Sequence, residues 1–172
     1  MIKLEPLTGH HERKAFDCGV EPLNIWLKQT AWQHQTKGIS RTFVATPADQ
    51  QAVDDFQKLG YGLDATSILG FYALASAVVV MDDLPIELAK RYPRQVPVTR
   101  LGRLAIRADM QGQGLGQLLL ADAINRAKSA AEAVGSAGLF VDAKDEASSF
   151  FYQRFGFTVC HHQPLKLYLP IW

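Results

Sequence analysis

The sequence predicts an α/β (α+β) protein, one domain built on a mixed central sheet. Three observations carry this. Apolar runs of strand length and amphipathic runs of helix length follow one another in the order β, α, β, β, β, α, β, α, β, β. The glycine-rich stretch QGQGLG, Gln111–Gly116, lies between a strand-like run, TRLGRLAI, and a helix-like run, LGQLLLADAINRAKSA. The chain has 172 residues, 48% hydrophobic and 20% charged, which matches one globular domain with a full core.

The elements can be justified in chain order. KLEP at residues 3–6 suits a short strand. Glu21 and Pro22 suit a helix start, and Leu23, Ile25, Trp26, Leu27 and Ala31 give a mixed apolar stripe that Gly38 ends. RTFVATP, Arg41–Pro47, is rich in β-formers. Residues 48–67 are polar and acidic and read as a long loop with at most one short helix, at QAVDDFQKL. Ser67–Met81 is a long apolar, β-branched run, the natural central strand. DDLPIELAKRYP has room for one or two helical turns, and VPVTRLGRLAIRAD returns to strand. After the glycines, Leu115, Leu118, Leu119, Ala123, Ile124, Ala127 and Ala131 line one helical face. Gly138–Ala143 is a buried strand. Asp145 can cap a helix over EASSFFYQRF that Gly156 stops, and FTVCHH and LKLYLPIW are strands joined by a turn at Gln163-Pro164.

Charge and cysteine usage exclude some functions. A net charge of +1 is not that of a bulk nucleic-acid binder. The charge is unevenly spread, however. Lys90, Arg91, Arg94, Arg100, Arg103 and Arg107 form a run without Asp or Glu, and Lys28, His34, Lys37 and Arg41 form another. A solvated surface and an anion-facing one account equally well for the arginine run. Cys18 and Cys160 lack ligand spacing, so neither a disulfide framework nor a metal site is expected, and both are read as reduced and buried. No apolar run approaches membrane-span length and the N-terminal residues lack a signal-peptide core, so a cytoplasmic location is expected.

A strand, a glycine turn and a helix in that order put free backbone N–H groups and a positive helix end at one point, a site for a phosphate. QGQGLG has no lysine where a Walker A loop needs one. Gly112, Gly114 and Gly116 give GxGxG rather than the dinucleotide GxGxxG, with no acidic residue suitably placed downstream. Taken alone, the glycines could also be a structural turn.

Their surroundings decide. LGRLAIRADMQGQGLGQLLLADAI followed by GLFVDAKDEASSFFYQRFGF resembles the GNAT superfamily of acetyl-CoA-dependent N-acyltransferases. The family's (Q/R)xxGxG/A loop is matched by Gln111, Gly112, Gln113, Gly114, Leu115 and Gly116. Its FYxxxGF helix is matched by Phe151, Tyr152, Phe155, Gly156 and Phe157. The resemblance implies a GNAT-like domain flanked by helices, with its sheet splayed between the fourth and fifth strands. It implies acetyl-CoA as cofactor and no metal: Leu104, Ala105 and Ile106 along the pantetheine arm, Gln111–Gly116 around the pyrophosphate. Acyl transfer from sulfur needs an acid for the departing thiolate. A tyrosine titrating near 10 can donate to a thiol titrating near 8.5, which makes Tyr152 the candidate catalytic acid. The Ile106 amide is a candidate to polarise the thioester carbonyl. None of the histidines, His10, His11, His34, His161 and His162, stands out as a base.

FDCGVEPLNIWL (Phe16–Leu27), RTFVA, ILGFYALA and TRLGRLAI are similar to one GNAT branch, the toxins of bacterial toxin–antitoxin pairs. The resemblance covers most of the chain except an acidic insertion at about 48–67. It implies an aminoacyl-tRNA acceptor whose amine is acetylated to block translation, and a ribbon-helix-helix antitoxin through which alone DNA is met. It also implies a homodimer and no membrane association. The tRNA phosphates would meet Lys28, Lys37, Arg41, Arg91, Arg94, Arg100 and Arg103. The alternatives are a housekeeping GNAT acetylating a small amine or a protein N-terminus, and a non-catalytic cofactor-binding regulatory module.

Overall fold

The computed structural model describes residues 1–172. Seven strands form one sheet in the order β1-β2-β3-β4-β5-β7-β6. They are β1 (Ile2–Pro6), β2 (Arg41–Pro47), β3 (Gly70–Val80), β4 (Gln95–Ile106), β5 (Gly138–Asp142), β6 (Thr158–Cys160) and β7 (Gln163–Pro170). The helices are α1 (Glu21–Gln29), α2 (Ala31–Lys37), α3 (Gln50–Lys58), α4 (Ile86–Ala89), α5 (Leu115–Ala133) and α6 (Glu146–Arg154). Strands β1 and β2 pair antiparallel, as do β5 with β7 and β6 with β7, whereas β4 and β5 are parallel. The sheet is therefore mixed, as the element order predicts. The β4–β5 ladder joins Thr99–Leu101 to Leu139–Val141 and stops there, although β4 continues to Ile106.

The chain divides into two compact units. The first, Met1–Ala73 with Arg103–Asp122, is built round Phe71. Trp26 stacks on its ring at 6.0 Å and Phe16 meets it edge-on at 5.4 Å, with Leu27, Ala31, Val44 and Ala105 closing the cluster. Gly70 begins β3 here, and a Cβ on it would stand 3.0 Å from Ala105 O, Ile106 Cδ1 and Leu119 Cδ1. A side chain here would push on all three, so glycine suits β3 lying this close to the end of β4 and the start of α5. The second unit, Leu74–Gly102 with Ala123–Trp172, packs Leu84, Val96, Val98, Phe140, Cys160 and Tyr168 together. Both cysteines are free and buried.

Two sequence expectations change and one holds. The single helix expected from Glu21 to Gly38 is two, broken at Thr30, whose φ is drawn out to −117° while ψ stays near the helical value at −38°. A β-branched residue resists the helical rotamer and marks the weak point. Within residues 48–67 the short helix expected at QAVDDFQKL forms as α3. Asp49 caps α3 by accepting from the Ala52 N–H at 2.8 Å, and Ala52, Val53 and Phe56 are buried. The last turn is at His161–His162 rather than Gln163-Pro164. Cys160 pairs with Gln163, and His162 takes φ 58°. Pro164 is instead the second residue of β7, near the strand start where a missing N–H is tolerated.

Candidate active site

The glycine stretch is a loop with alternating handedness. Gly112 and Gly114 take φ of 78° and 84°, a region costly for any residue with a Cβ. Residues alternating this way turn successive N–H groups toward one side and form a nest for anions. Around both glycines there is open space, with no atom within 4 Å of a would-be Cβ. Helix α5 begins at Leu115 with no acidic residue in its first turn, so nothing there offsets its positive end. The Gln111 side chain anchors the loop to its surroundings. Gln111 Nε2 donates to Cys18 O at 2.9 Å and to Ile106 O at 3.1 Å, tying the loop to the N-terminal segment and to the end of β4. Just before the loop, Ala108 N–H donates to Asp17 O at 2.8 Å, and Arg107 grips Asp109 through two bonds at 2.9 and 2.7 Å. A loop so tied keeps its amides pointed without help from a ligand. Of the sites predicted along β4, Ala105 is buried and Leu104 and Ile106 are half-buried.

Tyr152 sits in the second unit on α6. Asp145 starts that helix by accepting from the Ser148 N–H at 2.8 Å, and this bond holds the Asp145 carboxyl below its ordinary pKa. Gly156 stops the helix with φ 93°. Tyr152 is 7% exposed, its ring edge-on to Phe151 at 5.3 Å and to Phe157 at 5.5 Å. Burial pushes its phenol well above 10, so the hydroxyl keeps its proton throughout the physiological range. That hydroxyl bonds to no other group of the protein. The buried side-chain oxygens sealed from solvent without a partner are Ser40 Oγ and Thr42 Oγ1, so the Tyr152 hydroxyl also retains contact with solvent. A protonated, unpaired and reachable hydroxyl in an aromatic wall is suited to donate to a ligand.

The predicted basic residues divide between the units. Lys28, Lys37, Arg41 and Arg103 belong to the first; Arg91, Arg94 and Arg100 belong to the second. Lys37, Arg41, Arg91 and Arg94 are exposed, and Lys28 is half-buried. Two are already engaged. Arg100 pairs with Asp142, and the Arg103 guanidinium lies 4.4 Å over the Trp26 ring. Both contacts join residues far apart in the chain. Among the histidines, His11 is structural: its Nδ1 accepts from the Thr8 N–H at 3.0 Å, so Nε2 carries the proton toward Glu5 Oε1 at 2.8 Å. Two residues the sequence did not single out adjoin the candidate site: Gly70, packed against the end of β4, and Tyr61, which accepts a bond from Gln113 of the loop. No group of histidines, cysteines and carboxylates is placed to hold a metal ion, and no helix is long and apolar enough to cross a membrane.

Residues 70–159 match the acetyltransferase (GNAT) domain. The chain belongs to the GNAT acetyltransferase family. Its glycine loop and Tyr152 both lie within the matched region. This GNAT chain is 36% identical over 155 residues to a tRNA-acetylating toxin of Mycobacterium tuberculosis (strain ATCC 25618 / H37Rv), an alignment covering 90% of this chain and 83% of the relative. The solved structure of AtaT complexed with acetyl-methionyl-tRNAfMet is similar with a TM-score of 0.83 at 30% identity, covering 99% of this chain and 95% of that one. A tyrosine-to-phenylalanine mutant of the AtaT toxin, bound to the C-terminus of the antitoxin AtaR and acetyl-CoA, gives a TM-score of 0.76 at 29% identity. That match covers 99% of this chain and 93% of that one. The family match confirms the GNAT resemblance, and these neighbours carry the toxin resemblance as well.

Proposed function

We propose that this GNAT protein is a toxin that uses acetyl-CoA to acetylate the amino group of aminoacyl-tRNA. The observation that carries the chemistry is the Tyr152 hydroxyl, held protonated by burial and left without a protein partner. The observation that favours the acceptor is the likeness, over nearly the whole chain, to a tRNA-acetylating toxin and to AtaT with its acetylated tRNA.

Acetyl-CoA supplies the acetyl group as a thioester. The open nest at Gly112–Gly114 fits its pyrophosphate, with the amides of Gln113, Gly114 and Gly116 as donors. Leu104, Ala105 and Ile106 offer backbone groups to the pantetheine arm beyond the point where β4 leaves the β5 ladder. In the roles the family resemblance gives them, the Ile106 N–H would polarise the carbonyl and the Tyr152 O–H would donate toward sulfur as negative charge develops there. The chain need not supply a base. An α-amino group titrates near 7.7–8.0 and carries a useful neutral fraction at pH 7. Attachment to an ester favours the neutral form further. Exposed Lys37, Arg41, Arg91 and Arg94, with half-buried Lys28, meet tRNA phosphates. Arg100 and Arg103 contribute only by giving up or sharing their present contacts. The protein works in the cytoplasm as a homodimer, with a ribbon-helix-helix antitoxin as partner and DNA contacted only through it.

Incubation with labelled acetyl-CoA and charged tRNA is the direct test. Acetyl-aminoacyl-tRNA is the expected product, and label appearing on another amine instead overturns the acceptor. Tyr152→Phe should lose about two to four orders of magnitude in turnover while binding coenzyme A within about twofold of the native chain. A variant that keeps full activity removes the acid role.

A further inference from the structure

Residues 48–67, the acidic segment that the toxin resemblance leaves uncovered, reach the glycine loop through Tyr61. Helix α3 closes with Gly60 in the left-handed region at φ 94°, and Tyr61 N–H donates to Phe56 O at 3.1 Å. Gln57 Nε2 donates to Leu63 O at 2.8 Å, and Glu12 N–H donates to Thr66 O at 2.9 Å, so the segment is pinned on both sides of Tyr61. The Tyr61 ring packs edge-on to buried Phe56 at 5.9 Å. Its hydroxyl accepts from Gln113 Nε2 at 2.8 Å.

A phenol oxygen that accepts one bond still has its own proton to give. The Tyr61 O–H finds no acceptor elsewhere in the protein, and the residue is only half-buried. Its bonded neighbour, Gln113, belongs to the glycine loop itself. Resting on the reading of that loop as a coenzyme A site, we propose that Tyr61 is a further cofactor-binding residue whose O–H donates to a phosphate oxygen of coenzyme A. The Gln113 bond occupies one lone pair of the phenol and aims the remaining proton, so the side chain is pre-organised as a donor. An acidic and polar segment thereby contributes a neutral donor, which carries no charge to repel the phosphate. Coenzyme A carries a pyrophosphate and a ribose 3′-phosphate, and both would accept from such a donor in the same way.

The test is calorimetric titration of the full-length protein with coenzyme A and, separately, with dephospho-coenzyme A, which lacks the 3′-phosphate. Tyr61→Phe keeps the ring on Phe56 and removes only the hydroxyl. It should weaken coenzyme A binding by about tenfold, as expected for a hydrogen bond to a charged group. An equal loss with both ligands assigns the donor to the pyrophosphate; a loss with coenzyme A alone assigns it to the 3′-phosphate. The same substitution in a Gln113→Ala background should still weaken binding. Loss of the effect in that background makes Tyr61 a mere prop for Gln113 and overturns the proposal. So does binding by Tyr61→Phe within about twofold of a native chain that binds tightly, by the same hydrogen-bond argument. A native chain that does not bind coenzyme A overturns the cofactor reading, and this proposal with it.

Discussion

Replacing Gly114 by alanine separates two roles that glycine plays in the loop. At φ 84° a Cβ costs roughly 1–2 kcal/mol in backbone strain. Nothing lies within 4 Å of that Cβ, so no collision is added in the free protein. The stiffer unfolded chain returns about 0.4–1 kcal/mol. The net loss is then about 1 kcal/mol, or about 2–4 °C in Tm for a chain of this size. Gly38, at φ 72° and equally open, ends α2 away from the loop and is the matched control. Gly38→Ala and Gly114→Ala should melt within a few degrees of each other by scanning fluorimetry. Their affinities for coenzyme A should differ sharply. A methyl group in the nest holds the phosphate off the amides, and losing one charge-assisted bond weakens binding by about tenfold or more. Calorimetry should show that loss for Gly114→Ala and none for Gly38→Ala. Equal affinities for the two variants would refute the cradle. So would a Gly114→Ala melting point more than about 8 °C below the native one, because strain alone cannot supply it.

The helix that carries Tyr152 depends on its cap. Asp145→Ala should lower Tm by about 2–4 °C and Asp145→Asn should not, because asparagine caps as well as aspartate does. The Asp145 carboxyl is held below its ordinary pKa by the Ser148 N–H, so the native cap is whole above about pH 4 and fades as pH falls through the lowered value; Asp145→Asn should lack that acid limb in urea melts. On the alkaline side, burial and then Asp83 push the Cys160 thiol from 9.0 to about 12, and burial raises Tyr152 and Tyr168 above 10. Each raised group contributes stability that is whole below its unfolded pKa and is lost as pH climbs toward the folded one. Urea midpoints should therefore hold to about pH 9 and decline beyond it; a midpoint unchanged at about pH 11 would contradict this.

What the sequence disclosed and what it hid follow from the range of the interactions involved. Gly112 and Gly114 are legible because positive φ is a property of a single residue, and Asp145 because its bond reaches only to Ser148. Tyr152 was found through its neighbours in FYQRFGF, and its burial follows from Phe151 and Phe157 in the same run. By contrast, the need for Gly70 arises at Ala105, Ile106 and Leu119, which no local pattern joins to it. Arg100 looked like one cation of an open run because its partner, Asp142, lies on another strand. Arg103 looked the same until Trp26 came under it. A count of charges along a chain therefore overstates the charge offered to a partner. The run Lys90–Arg107 holds six basic residues, yet Arg100, Arg103 and Arg107 are each committed to a neighbour inside the fold. Segment 48–67 errs in the opposite sense. Its polarity suggested solvent, because the sequence cannot show that Phe56 supports Tyr61 and that Tyr61 meets Gln113. Polar residues that pair across the chain look like surface until their partners are known. A segment set apart by composition is for that reason a place to look for ligand contacts.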